Sequence, residues 1–187
     1  MTNHLFSEIR ANMPGLTKPF LHLLDGSVLT YGDVIEWTGR YANALVDLGV
    51  EPGDRVAVQV EKTPDALILY LATVRAGGVF LPLNTAYTPA EIDYFVTDAE
   101  PAVFVCDPSR ADALEATAGK VGASLQTLDA SGKGSLRNLA EAVSGDFDDV
   151  AREDDDLAAI LYTSGTTGRS KGAMLSHENL ASNARTL

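Results

Sequence analysis

The sequence predicts an α/β protein, a mostly parallel sheet with flanking helices, and three observations carry that expectation. Short apolar runs recur at residues 55–60, 79–83, 102–106 and 157–162. Helix-capping residues, Thr63-Pro64 and Thr88-Pro89, open the stretches after the first two runs, and Gly77-Gly78 closes the first of those stretches. Strands separated by helices need crossover connections, and these are right-handed and make neighbouring strands parallel.

Taken in order, residues 20–24 and 28–30 flank Asp25-Gly26, a two-residue hairpin signal. Thr30 can cap a helix whose apolar residues recur as Val34, Trp37, Tyr41, Leu45 and Leu48, with Gly49 as its left-handed stop. Residues 55–60 read as a strand. Thr63-Pro64 opens the next helix, Gly77-Gly78 closes it, and residues 79–83 resume extended structure. Thr88-Pro89-Ala90-Glu91 is a capping box with proline at the first helical position, followed by Ile92, Phe95 and Val96 on one face. The wholly apolar run 102–106 suits a strand covered on both faces. A weaker helix (109–120) and a strand (124–128) come next. Between residues 129 and 156 the texture becomes that of a surface connection around one short helix near 136–143. Residues 157–162 then read as a buried strand. No internal repeat is present.

At 187 residues the chain makes one domain or a large piece of one, with 45% apolar and 21% charged residues, as in a soluble globular protein. A net charge of −12 opposes nucleic-acid binding, because phosphates would be repelled by the average surface field. The single cysteine, Cys106, excludes an internal disulfide and reads as a buried apolar side chain. His4, His22 and His177 show no metal-ligand spacing, and the acidic run Glu153-Asp154-Asp155-Asp156 reads as a solvated turn, so no metal site within the chain is expected. The N-terminus is too polar for a signal peptide and no apolar stretch is long enough to span a bilayer, giving a cytoplasmic expectation with no membrane partner.

The most informative segment is 162–172, Tyr-Thr-Ser-Gly-Thr-Thr-Gly-Arg-Ser-Lys-Gly, placed between an apolar strand and an expected helix start. A Walker A loop fails here, because its second glycine would fall at Ser170. The dinucleotide fingerprint fails at Thr167, and Ser164 lacks the frame of a hydrolase elbow. What remains is a distinct phosphate loop. Gly165 and Gly168 allow close approach, Thr163, Ser164, Thr166 and Thr167 offer hydroxyls, and Lys171 can reach a terminal phosphate. The plain alternative is a polar surface loop with a solvated lysine.

This segment resembles the signature phosphate loop of the acyl-adenylate-forming enzymes, which include acyl-CoA synthetases, luciferases and peptide-synthetase adenylation domains. Residues 29–34, Leu-Thr-Tyr-Gly-Asp-Val, and 71–84, with Ala76-Gly77 ahead of Pro82, match two earlier family segments in the right order. The likeness runs from about residue 20 to the end. Within the family the wording of residues 58–62, 69–72, 83–88, 93–95 and 98–101 is similar to malonyl-CoA synthetases, as is Ser170 where most relatives carry proline.

The resemblance implies the N-terminal portion, residues 1–187, of the large AMP-binding (adenylation) domain. It implies ATP with Mg2+, CoA as co-substrate, and a small carboxylate, malonate, as substrate. Thr163, Ser164, Gly165, Thr166, Thr167, Gly168 and Lys171 would cradle the β- and γ-phosphates. The family's other functional motifs lie downstream in relatives, so no catalytic residue is expected within this chain, and the chain alone is expected to catalyse neither half-reaction. Another acid ligase (acetate, fatty or aryl acid) and a free-standing nucleotide-binding module are the alternatives. A sheet cut partway would also expose an apolar face, through which self-association is expected.

Overall fold

The computed structural model describes residues 2–163 and 170–186. Helix α1 (His4–Ala11) comes first, capped by the Asn3 side chain, and is followed by an antiparallel hairpin of β1 (Pro19–His22) and β2 (Val28–Thr30). The main sheet contains β3 (Arg55–Gln59), β4 (Val79–Pro82), β5 (Val103–Cys106), β6 (Ser124–Thr127), β7 (Leu157–Thr163) and β8 (Lys171–Ser176). Their order is β6-β5-β3-β4-β7-β8, parallel throughout except for the antiparallel pair β7–β8. Helices α2 (Tyr31–Asp47), α3 (Pro64–Arg75), α4 (Pro89–Ala99), α5 (Ala111–Lys120), α6 (Ser135–Glu141) and α7 (His177–Thr186) flank it. Among the described residues no helix is long and apolar enough to cross a membrane.

Local chemistry explains most boundaries. Thr30 and Thr88 each accept from the third residue of their helix, Asp33 and Glu91, whose carboxylates return the bond to the capping backbone N–H. Thr63 caps α3 ahead of Pro64. The apolar faces fall into two layers. Tyr41, Leu45, Leu69 and Ala72 pack on one side of Val56, Val58, Val103 and Val105. Ile92, Phe95, Val96 and Leu114 cover the other side, against Ala57, Leu81, Phe104 and Cys106. Strand β5 is buried along its whole length, as its apolar run requires. Cys106 lies within it, and burial raises its thiol to about 11, so it is an inert core side chain.

Four sequence expectations change. Helix α1 has no counterpart among the expected elements; it buries Leu5 and Phe6, and Asn3 at its start donates its amide to the Val74 and Val150 carbonyls. The helix at 109–120 divides into a 3-10 turn (Pro108–Arg110) and α5, with Asp107 capping the turn. The strand at 157–162 is buried only at Ala158 and Ala159; Leu161 is exposed and Tyr162 half-buried, because β7 has only the edge strand β8 outside it. Finally, the glycine-rich segment leads into a strand, not a helix. β8 returns along β7 before α7 starts at His177.

The acidic connection before β7 is fastened down. Arg40 donates to the Val143 carbonyl and Asn43 to the Ser144 and Asp146 carbonyls, all from α2. At the crossing a Cβ on Gly39 would lie 1.8 Å from the Gly145 carbonyl oxygen. Backbone cannot give way as a flexible side chain can, so Gly39→Ala is expected to lose about 1–3 kcal/mol of stability. A thermal melt within 1 °C of the parent would refute that close approach.

Candidate functional site

Strands β3, β4 and β7 run parallel, so their carboxyl ends share one edge of the sheet. Open α/β sheets bind ligands there, because the loops leaving the strands converge at that edge. A cleft of about 620 Å3 opens beside the ends of β3 and β4, lined by Val60, Lys62, Thr63, Tyr70, Phe80 and Asn84. The glycine-rich segment leaves from β7 at the same edge.

Of the residues expected to hold phosphate, Thr163 is the last of β7 and Lys171 the first of β8. They are cross-strand partners, and Thr163 Oγ1 donates to the Lys171 carbonyl at 3.4 Å. The fold therefore sets the two ends of the segment side by side, a hydroxyl-bearing residue opposite a lysine. Both residues are exposed. Ser164, Gly165, Thr166, Thr167 and Gly168 lie outside the described residues.

Helix α4 supplies residues that sequence reasoning missed. Tyr94 Oη donates to the Ser170 carbonyl at 3.0 Å, and Tyr162 Oη donates to Asp98 Oδ2 at 2.5 Å. The Tyr162 ring lies 4.4 Å from that of Phe95, centroid to centroid. Burial, and then the Asp98 carboxylate, push the Tyr162 phenol above its ordinary value, so it remains the donor. The i, i+4 spacing of Tyr94 and Asp98 was visible; their partners, more than sixty residues away, were not.

Packing of α1 on α7 also gathers His4, Glu8 and Glu178, whose ligand atoms all lie within 4.8 Å of one another. His4 and Glu8 stand one helical turn apart, but Glu178 is 174 residues from His4, and no local spacing signals it. His4 Nε2 stands 2.9 Å from Glu178, and Arg185 pairs with Glu8 at 2.5 Å and with Glu178. The guanidinium supplies the positive charge two carboxylates would otherwise seek in a cation, which makes the group an interhelical ion-pair network. The acidic run 153–156 is the turn expected of it: Glu153 N–H donates to Asp156, which pairs with Arg152 at 3.0 Å.

A mostly parallel sheet whose carboxyl edge carries both ends of a glycine- and hydroxyl-rich segment, the second of them a lysine, is the frame of an open α/β protein, a class that takes its ligands at that edge. The chain belongs to the AMP-binding enzyme family, whose description matches residues 8–187. It is 54% identical to MatB from Rhodopseudomonas palustris, whose apo crystal structure it matches with a TM-score of 0.96, covering 100% of this chain and 37% of that one. A feruloyl-CoA synthase of Amycolatopsis sp shares 37% identity over 165 residues, 84% of this chain and 30% of the relative. An oxalate–CoA ligase of Arabidopsis thaliana shares 34% over 164 residues, 85% of this chain and 32% of the relative. The chain thus spans about a third of the length of these proteins.

Proposed function

We propose that this chain is the phosphate-loop portion of an AMP-forming acid–CoA ligase that activates malonate. The observation that carries the reading is the pairing of Thr163 with Lys171 at the mouth of the glycine-rich segment. In this reading Thr163, Ser164, Gly165, Thr166, Thr167, Gly168 and Lys171 hold the β- and γ-phosphates of ATP, which enters with Mg2+. A carboxylate is a poor electrophile, because its charge repels nucleophiles and oxide is a hopeless leaving group. Its attack on the α-phosphate forms an acyl-adenylate and releases pyrophosphate; the CoA thiolate then displaces AMP. The work of the first step is positioning and charge neutralisation, which hydroxyls, backbone N–H groups and one ammonium can perform. The residues that complete the reaction belong, in this reading, to parts of the protein beyond this sequence.

Malonate is favoured on two grounds. The likeness to MatB, a malonyl-CoA synthetase, spans the whole chain at 54% identity, against 25% for a benzoate CoA ligase from Burkholderia xenovorans LB400. The wording of residues 83–88 and 98–101 points the same way. Carboxylate-dependent ATP–pyrophosphate exchange by the complete protein tests the reading, using malonate, oxalate, acetate, benzoate and ferulate. Exchange is expected to be fastest with malonate, and Lys171→Ala is expected to slow it at least about tenfold by removing a charge from the developing pyrophosphate. Exchange with none of these acids would sink the ligase reading; fastest exchange with another acid would move the substrate and leave the class standing.

A further inference from the structure

Helix α4 touches the glycine-rich segment at both ends. Tyr162, two residues before Ser164, donates to Asp98, and the carbonyl of Ser170, directly before Lys171, accepts from Tyr94. Tyr94 and Asp98 stand one turn apart on the same helix face. The Tyr162 ring fills the space between them, 4.4 Å from Phe95 and 6.3 Å from Tyr94. Its cross-strand partner is Gly172, where a Cβ would come within 2.8 Å of Ile160 Cγ2 and 3.6 Å of the Tyr162 ring. Glycine leaves that ring its seat.

The β7–β8 hairpin needs such an attachment. Among the described residues, β7 pairs with β4 only at Phe80↔Ala159, and β8 is the sheet edge, with Met174 66% exposed. Strand pairing thus holds the hairpin near its start, while Thr163 and Lys171 lie at its far end. α4 is well placed to fix that end. Its own start is closed by the Thr88–Glu91 capping box, Ile92 and Phe95 are buried, and Asp93 binds Lys120 and Thr117 of α5.

We propose that Tyr94 and Asp98 are positioning residues: α4 clamps both ends of the phosphate segment and so sets where the Thr163 hydroxyl and the Lys171 ammonium stand relative to one triphosphate. The clamp rests on the nucleotide reading above. Neither side chain touches ATP; each acts through a neighbour of a residue that does. Their loss therefore weakens nucleotide engagement and leaves recognition of the carboxylate alone.

Tyr94→Phe, Asp98→Ala and Asp98→Asn in the complete protein test this with two readouts. In pyrophosphate exchange, Tyr94→Phe and Asp98→Ala are expected to raise the ATP KM about tenfold, with the malonate KM changed less than about twofold, while Asp98→Asn, whose amide oxygen still accepts from Tyr162, restores most of the affinity. In limited trypsin digestion without nucleotide, cleavage after Arg169 and Lys171 is expected to quicken about fivefold in the first two variants and to stay near the parent rate in Asp98→Asn, at melting temperatures close to the parent's. Unchanged cleavage in Tyr94→Phe and Asp98→Ala overturns the clamp even if the ligase reading holds. So does an equal rise of both KM values, or a failure of Asp98→Asn to rescue. Absence of exchange in the parent protein would fault the ligase reading, and the digestion would still decide the clamp.

Discussion

Arg75→Ala is expected to cost about 3–5 kcal/mol, the usual consequence of breaking a buried ion pair by removing one partner. Arg75 is 2% exposed at the end of α3. Its Nε donates to Asp149 at 2.6 Å, its Nη1 to the Ile35 carbonyl and Thr38 Oγ1 of α2, and its Nη2 to the Phe147 carbonyl. The guanidinium also lies between two rings, 5.0 Å from Phe6 and 5.6 Å from Phe147. One side chain thus joins α1, α2, α3 and the acidic connection, and its planar, multi-donor head is what lets it do so. Burial pulls its pKa down, and Asp149 opposes that pull. Alanine would leave Asp149 with the more exposed Arg10, at 2.7 Å, and would take one donor from the Phe147 carbonyl and one from the Ile35 carbonyl, which Thr38 Oγ1 also bonds. Urea unfolding should show a lower midpoint, and a melt should fall by about 10 °C for a chain of this size. Asp149→Ala combined with Arg75→Ala should cost less than the sum of the single changes, since each removes the other's partner. Strict additivity would show that the pair contributes nothing of its own.

Much of the fold was legible in residues 28–128 because local and tertiary preferences agree there. Thr30, Thr63 and Thr88 cap helices whose apolar faces also meet the sheet, and Gly49 and Gly77 stop helices at positive φ, 91° and 76°. Legibility fails where long-range bonds decide. α1 is short, and its anchors are the buried Leu5 and Phe6 and the distant carbonyls of Val74 and Val150. β8, Lys-Gly-Ala-Met-Leu-Ser, carries little strand propensity of its own and is extended because it pairs with β7. The connection at 129–156 looked like mere surface, yet Asp149 is the partner of the most deeply held cation. At the candidate site the residue types proposed to hold phosphate are visible in the sequence itself. The α4 residues beneath them do not stand out, since a tyrosine and an aspartate one turn apart are ordinary on any helix.

Stability is expected to fall by about 3 kcal/mol between pH 7 and pH 4 through one buried imidazole, His177. Its ring is 0% exposed at the start of α7, and its Nδ1 accepts from the Leu5 N–H of α1 at 3.3 Å. That bond places the ring proton on Nε2, which has no partner among the described residues. A second proton must enter at Nδ1, breaking the bond to α1 and setting a cation in a buried site. Burial first, and Arg152 next, lower the pKa from 6.5 to about 4; Asp156 opposes them and His4 adds to the lowering. A folded pKa below the unfolded one means that the unfolded chain takes up the proton first. The contribution is therefore complete above pH 6.5 and is lost as pH falls toward 4. His177→Asn keeps an acceptor near Nδ1 but cannot titrate, so it should flatten this part of the profile even if it lowers stability at pH 7. Urea midpoints at half-unit pH intervals would show the difference, and a parallel decline in both proteins would assign the acid sensitivity to the carboxylates instead. If the flattening is seen, the docking of α1 on α7 is the part of the fold that acid loosens first. The bonds from α4 to Tyr162 and Ser170, on the other side of the sheet, should then persist at pH values where α1 has begun to release.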